Sequence, residues 1–261
     1  MNILLDINAR PVIGHRGNRA HAPENTLESI KQAVALGVDA IEFDLHLSRD
    51  GHLVVMHDPT LERTTSGTGA VNQRTVSELQ QLDAGANFTM DNGRTFPYRG
   101  RGIGVPTFDE VVETIRDLPM IIELKTTAAT EPIRQAVARH NIAKRVIVAS
   151  FISEAVHPLR GAGFPLGCSS SDAMRLLPRA ILGLDATPKQ FETVNIPPTW
   201  NGLAVPLRRM ARSLRAVGIP IHVWTVNEPS EAHGYWDAGV RGIISDDPAA
   251  ILEARTGYSD P

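Results

Sequence analysis

Short apolar runs alternate with longer helical patterns along most of this chain, and that rhythm leaves few architectures open. Candidate strands lie at Val12 to Gly17, Ala40 to Ser48, Met120 to Lys125, Arg145 to Phe151, Pro165 to Ser169, Thr193 to Ile196 with Gly202 to Val205, Pro220 to Val226, and Gly242 to Ser245. Asn25 with Glu28 and Thr107 with Glu110 have capping-box spacing, which places a side-chain oxygen against an orphan backbone donor at the start of a helix. Gly37, Gly163, Gly218 and Gly239 follow helical patterns where a left-handed cap is needed. Taking the Thr193 and Gly202 runs as one stave gives eight β/α units, which predicts an α/β fold of the TIM (β/α)8 type rather than an open doubly wound sheet. All 261 residues are expected in one barrel domain, long enough to bury a large core without disulfides. From about Pro59 to Arg101 the chain is rich in Gly, Thr, Arg and Asp, with one helical patch near Val76 to Leu82. That is too long for an ordinary βα connection, so a small lid-like insertion after the second barrel strand is expected on the catalytic face.

Composition narrows the function classes. The net charge is -3, with 26 basic and 29 acidic side chains and no basic block, so nothing marks a nucleic-acid or anionic-membrane partner. No stretch approaches the ~20 apolar residues of a bilayer span, and MNILLDINARP lacks a basic start and is interrupted by Asp6. A cytoplasmic protein without a stable membrane anchor is expected; the oligomeric state is not readable. Cys168 is the single cysteine, which excludes an intrachain disulfide and a multi-cysteine zinc site. Met1 to Arg10 and Thr256 to Pro261 are expected to fray.

Strand parity concentrates chemistry at one end. In Ala40-Ile-Glu-Phe-Asp-Leu-His-Leu47 the polar residues Glu42, Asp44 and His46 share one face, and the apolar face must meet the outer helices. Met120-Ile-Ile-Glu-Leu-Lys125 likewise sends Glu123 and Lys125 inward. Three inward carboxylates need a cation, a basic partner or a proton. They suit a hard dication such as Ca²⁺ or Mg²⁺; internal salt bridges with Lys125 and Arg16 are the other reading. His15 and Arg16 end the first strand, and His57 ends a further apolar run, so two imidazoles and an arginine fork reach the same rim. His46 suits a supporting hydrogen bond, Asn25 a helix cap and Glu24 support of His15 or of the carboxylate cluster. Arg94, Arg99 and Arg101 fit a solvated loop, or a lip that selects an anionic alcohol; Cys168 fits a buried apolar site.

At these residues the sequence resembles the glycerophosphodiester phosphodiesterase family. The likeness rests on His15-Arg16-Gly17, Ala22-Pro-Glu-Asn-Thr26, Glu42-Phe-Asp44 with Asp50-Gly51, and His57-Asp-Pro-Thr-Leu61 with Arg63-Thr-Thr65 and Gly67. It continues through Leu82-Asp-Ala-Gly85, Val105-Pro-Thr107, Glu123-Leu-Lys125, Val223-Trp-Thr-Val-Asn227 and Ser245-Asp246 before Pro248, in family order. The resemblance implies a TIM barrel with a small insertion. It also implies hydrolysis of a small-molecule glycerophosphodiester to glycerol 3-phosphate and an alcohol. By the same likeness Glu42, Asp44 and Glu123 would bind one divalent cation, Ca²⁺ or Mg²⁺, and His15 and His57 would be the acid/base pair. Arg16 and Lys125 would hold the phosphate and Trp224 would wall the pocket. Alternative readings are a lysophospholipase D-type phosphodiesterase, a retaining glycosidase, or a barrel that binds phosphodiesters without cleaving them. Glu42 and Asp44 on one strand are poorly placed to flank a sugar.

Overall fold

The computed structural model describes residues 2–184 and 190–258. Its strands are β1 (Val12–His15), β2 (Ala40–Leu47), β3 (Leu53–Val55), β4 (Met120–Leu124), β5 (Val146–Ala149), β6 (Val194–Ile196), β7 (Thr199–Trp200), β8 (Leu203–Ala204), β9 (Ile221–Val223) and β10 (Gly242–Ser245). The helices are α1 (Leu27–Leu36), α2 (Val76–Gln80), α3 (Phe108–Ile115), α4 (Thr130–Arg139), α5 (Ser153–Val156), α6 (Ser170–Ile181), α7 (Leu207–Arg215), α8 (Pro229–Asp237) and α9 (Pro248–Thr256). Seven strands pair in the order β5-β4-β2-β1-β10-β9-β6, each with a parallel neighbour, while β3 folds back antiparallel on β2. Single parallel bridges, Val148 to Leu166 and Gly167 to Thr193, close the ring. The fold is a TIM barrel.

Two staves differ from the sequence reading. The Pro165 to Ser169 run supplies only the two closing bridges, and Gly167 lies so close to β5 that a Cβ there would sit 2.7 Å from that of Ala149. Leu203–Ala204 does not extend the sixth stave. It forms an antiparallel hairpin with Thr199–Trp200 outside the barrel sheet, turning through Asn201 and Gly202, both at positive φ. The Thr107 capping box forms as expected, and Gly37 ends α1 at φ 81°. At the start of α1, however, Thr26 is the cap and Asn25 is not. The insertion packs around its own small core of Leu61, Val71, Leu79 and Ala84 against Val54 and Met56.

Helices seal the outer barrel face, where Phe43 packs on Phe108 with ring centroids 6.2 Å apart. Inside, Ile13, Ala40, Ile121, Ile147 and Ile244 form an apolar floor plugged by fully buried Leu4 from the 3-10 turn Ile3–Leu5. Leu4 and the pairing of Arg255 with Asp39 show that residues 2–10 and 256 are tied down rather than frayed; Met1 and 259–261 lie outside the described residues. No helix among the described residues is long and apolar enough to cross a membrane.

His222 links the plug to the barrel. Its Nδ1 accepts from the Gly242 N–H at 3.0 Å, which fixes the tautomer whose Nε2–H donates to the Leu4 carbonyl at 2.9 Å. Complete burial, only partly offset by the Leu4 bond, pulls its pKa down from 6.5 to about 4. The neutral ring is therefore the folded form. Its contribution is fully present above pH 6.5 and is lost as pH falls toward 4, in total roughly 3 kcal/mol. In urea titrations at pH 7.0 and 4.5, His222→Gln should show a pH-dependent loss smaller than wild type by about 2 kcal/mol. An unchanged loss would refute the assignment.

Candidate active site

Inward positions change character from floor to mouth within one strand repeat. Ile13 is followed by His15 on β1, Ala40 by Glu42 and Asp44 on β2, Ile121 by Glu123 on β4, and Ile244 of β10 by Asp246. In-register pairing aligns His15 with Glu42 and Asp44 with Glu123. A cavity with about 80 Å³ of water-accessible space opens at this mouth, with His15, Arg16, Glu42, His57, Glu123, Lys125 and Trp224 on its wall. Asp44, 1% exposed, lies against these residues. Ser150, Phe151 and Asn195 also line the cavity and carried no local signal in the sequence.

Glu42, Asp44 and Glu123 each bring a carboxylate oxygen within 4.8 Å of the others. Lys125 Nζ stands 3.0 Å from Asp44 Oδ1 and 2.8 Å from Glu123 Oε1, and Arg16 Nε stands 3.2 Å from Asp44 Oδ2. The Lys125–Asp44 and Arg16–Asp44 contacts are at ion-pair distance without hydrogen-bond alignment, so Asp44 Oδ1 and Arg16 Nε lack hydrogen-bond partners. Asn25 donates from Nδ2 to Asp44 Oδ2 at 2.8 Å, which is why it does not cap α1. Burial and the neighbouring Asp44 charge push Glu42 well above the usual carboxylate range. Burial also raises Asp44, but Lys125 and Arg16 outweigh it and leave that group low. Two cations thus face three acids, and both readings of the sequence are represented: salt bridges exist, yet Glu42 remains without a full cationic partner.

Each histidine is held by a carboxylate. His15 Nδ1 lies 2.6 Å from Asp246 Oδ1, and His57 Nδ1 lies 2.6 Å from Asp58 Oδ1. Both Nδ1–H groups then donate, which leaves each Nε2 without a proton when the ring is neutral. His15 Nε2 faces Glu42 Oε2 at 3.9 Å. Burial holds His57 below the ordinary histidine range despite the attraction of Asp44 and Asp58. His46 donates from Nε2 to the His57 carbonyl at 3.2 Å, and so supports the loop that carries the ring.

The two carboxylates are themselves joined. Arg19 reaches Asp246 at 2.7 Å and Glu24 at 3.0 Å, while Arg63 from the insertion binds Asp58 at 2.6 Å and Glu24 at 2.7 Å. Glu24 also takes Arg16 at 2.7 Å. Burial would raise Glu24, but Arg63, Arg16 and Arg19 together hold it far below the usual range. Glu24→Gln should destabilise the fold by roughly 2–3 kcal/mol, less than a fully buried pair because Arg19 and Arg63 are partly solvated. Urea denaturation at pH 7 checks this, and a change under about 0.5 kcal/mol would contradict it.

Other expectations resolve simply. Arg99 stacks on Phe96 at 3.8 Å and Arg101 lies 5.4 Å over Tyr98, and neither they nor Arg94 line the cavity. Burial and nearby Asp172 push the Cys168 thiol up, so it is not an activated nucleophile.

Comparison with known proteins agrees with this geometry. A family model described as the glycerophosphoryl diester phosphodiesterase family matches residues 15–156 and 183–250. A glycerophosphodiester phosphodiesterase of Caldanaerobacter subterraneus is 31% identical over 92% of this chain and 96% of its own. A solved glycerophosphodiester phosphodiesterase from Agrobacterium tumefaciens superposes with a TM-score of 0.74 at 28% identity, covering 94% of this chain and 99% of that one. A phosphodiesterase from Oleispira antarctica, solved in complex with the product sn-glycerol-3-phosphate, gives a TM-score of 0.74 at 25% identity over 95% of this chain and 98% of its own. On that match, across nearly the whole barrel, the chain belongs to the glycerophosphoryl diester phosphodiesterase family.

Proposed function

We propose that this protein hydrolyses small glycerophosphodiesters to glycerol 3-phosphate and an alcohol, with His57 and His15 as the acid/base pair. One observation carries the reading: two imidazoles, each fixed at Nδ1 by a carboxylate, face one cavity beside three converging acids. The acids fit a single hard dication, since three carboxylate oxygens converge within 4.8 Å of one another and Glu42 lacks a full countercharge. Glu42, Asp44 and Glu123 would hold that ion, which when bound polarises the phosphate and makes a glycerol hydroxyl more acidic.

The chain's own groups do the rest. His57, kept neutral by burial, takes the proton of the glycerol 2-hydroxyl at Nε2, and the oxygen attacks phosphorus. His15, entering the step as the imidazolium with a second proton on Nε2, gives that proton to the departing alcohol oxygen as the P–O bond breaks and is left neutral. Water then opens the cyclic phosphate with the two roles reversed. Arg16 and Lys125 neutralise phosphate oxygens, and Trp224 walls the pocket. Asp246 and Asp58 keep both rings in the productive tautomer.

The test is a coupled assay for glycerol 3-phosphate with glycerophosphocholine or glycerophosphoethanolamine, with and without chelator. Release that the chelator suppresses and Ca²⁺ or Mg²⁺ restores is expected. Binding without release would favour a noncatalytic barrel and sink the enzymatic reading.

A further inference from the structure

Exposed hydrocarbon is not scattered over this protein. Among the described residues, eight of the ten large hydrophobic side chains at the surface fall between Phe151 and Leu203; Leu36 and Met90 are the other two. Single exposed leucines are ordinary, but a contiguous group of this size is not. Contacts join the group. Trp200 and Leu203 are cross-strand partners in the β7–β8 hairpin, on either side of the Asn201–Gly202 turn. The Trp200 ring lies 5.9 Å from that of Phe151, and Trp200 shares a pocket wall with Met174 of α6. Met174 and Ile181 are two turns apart along one face of α6, and Leu182 follows. Leu203 is 75% exposed, Leu182 72% and Met174 68%, so the face stands open to solvent.

The same stretch carries the opposite charge from the rest of the chain. Residues Phe151 to Arg215 hold eight basic and four acidic side chains, a net charge of +4 in a protein whose total is -3. The whole-chain balance conceals that asymmetry. Arg175 stands next to Met174 on α6, and Arg208, Arg209 and Arg212 are exposed on α7. Arg209 Nη1 donates to the Ile181 carbonyl at 2.9 Å, which ties the basic helix to the C-terminal end of α6. Asp172, by contrast, is buried and paired with Arg160. Among the described residues, Arg175, Arg208 and Arg212 meet no carboxylate at ion-pair distance.

An occupant must satisfy both the hydrocarbon and the charge. A second copy of this face would bring +4 against +4, and a polyanion without hydrocarbon would leave the apolar side chains in water. An anionic bilayer surface meets both, with lipid phosphates on the guanidinium groups and the acyl boundary under the hairpin. Tryptophan, an apolar body with one polar N–H, suits that boundary.

We propose that the exposed face of α6, the β7–β8 hairpin and the arginines of α7 form a docking surface for an anionic lipid bilayer. Contact is peripheral, without a spanning helix: Trp200 and Leu203 enter the acyl boundary while Arg175, Arg208 and Arg212 meet lipid phosphates. Its measurement needs no turnover, so it stands or falls separately from the hydrolysis proposed above.

Co-sedimentation of the full chain with vesicles tests it. At about 0.1 M NaCl, the partition coefficient for equimolar phosphatidylcholine and phosphatidylglycerol should exceed that for phosphatidylcholine alone by about a hundredfold, three arginines at roughly fivefold each. Raising the salt to about 0.5 M should shrink that preference. Arg208→Gln combined with Arg212→Gln should leave about fivefold of it, with binding to phosphatidylcholine as before. Leu203→Ser, at an exposed position that the fold tolerates, should weaken binding to both vesicles by about tenfold, whereas Leu36→Ser on α1 should bind as wild type. Equal partition into the two vesicles, no partition into either, or partition that Leu203→Ser and the arginine pair leave unchanged overturns the proposal. Self-association without vesicle binding, seen by sedimentation velocity and abolished by Leu203→Ser, would give the face to a second copy and overturn it as well.

Discussion

His57→Ala and His15→Ala should each lower kcat on glycerophosphocholine by on the order of 10²–10⁴-fold, the range that a positioned proton-transfer group contributes. The two losses should not multiply in the double variant, because both rings act in the same transfer step and losing either already disables it. Neither ring bonds a carboxylate of the acidic cluster closely: His15 Nε2 is 3.9 Å from Glu42, and His57 Nδ1 is turned to Asp58. Calcium binding measured by calorimetry should therefore change little in either variant. A wild-type rate in one of them would remove that residue from the acid/base pair. Loss of ion binding together with rate would instead make its role structural.

Glu42→Gln should move activity and apo stability in opposite directions. Glu42 is buried beside Asp44, and both its burial and that neighbour disfavour its charge. An amide of the same shape removes the like-charge repulsion, so in chelator the variant should be more stable than wild type by ~1–4 kcal/mol. Adding Ca²⁺ should reverse the order, because wild type gains about 4.1 kcal/mol at a thousandfold excess of ion over its Kd and the variant gains little. Turnover by the variant should fall to background. Thermal melts with and without chelator read both states, and an equal calcium shift in the two proteins would refute the assignment of Glu42 to the ion.

What could be read in the sequence follows a physical divide. Glu42, Asp44, Glu123 and Lys125 were legible because a strand's period of two sorts inward from outward within a few residues, and parallel register keeps neighbouring staves in step. His15 and His57 were legible as strand-end residues, though not their partners: Asp246 is 231 residues from His15, and no local pattern reports a contact of that separation. Asn25 misled for a related reason. Its side chain suits a helix cap, but its φ of 58° turns it toward Asp44 and gives the cap to Thr26. Leu203–Ala204 has the composition of a stave, yet the turn at Asn201 and Gly202 pairs it locally with Thr199–Trp200. Asn195 lines the cavity, but nothing in its own segment reports the space it faces.

The bridge from Asp246 through Arg19, Glu24 and Arg63 to Asp58 spans the chain from its first stave to its last. During synthesis, a polypeptide that has already emerged through β9 holds Glu42, Asp44, Glu123 and both imidazoles, but not the anchor that orients His15. Under the proposed acid/base reading, the aligned pair of imidazoles exists only once β10 completes the ring, and a half-made barrel lacks it.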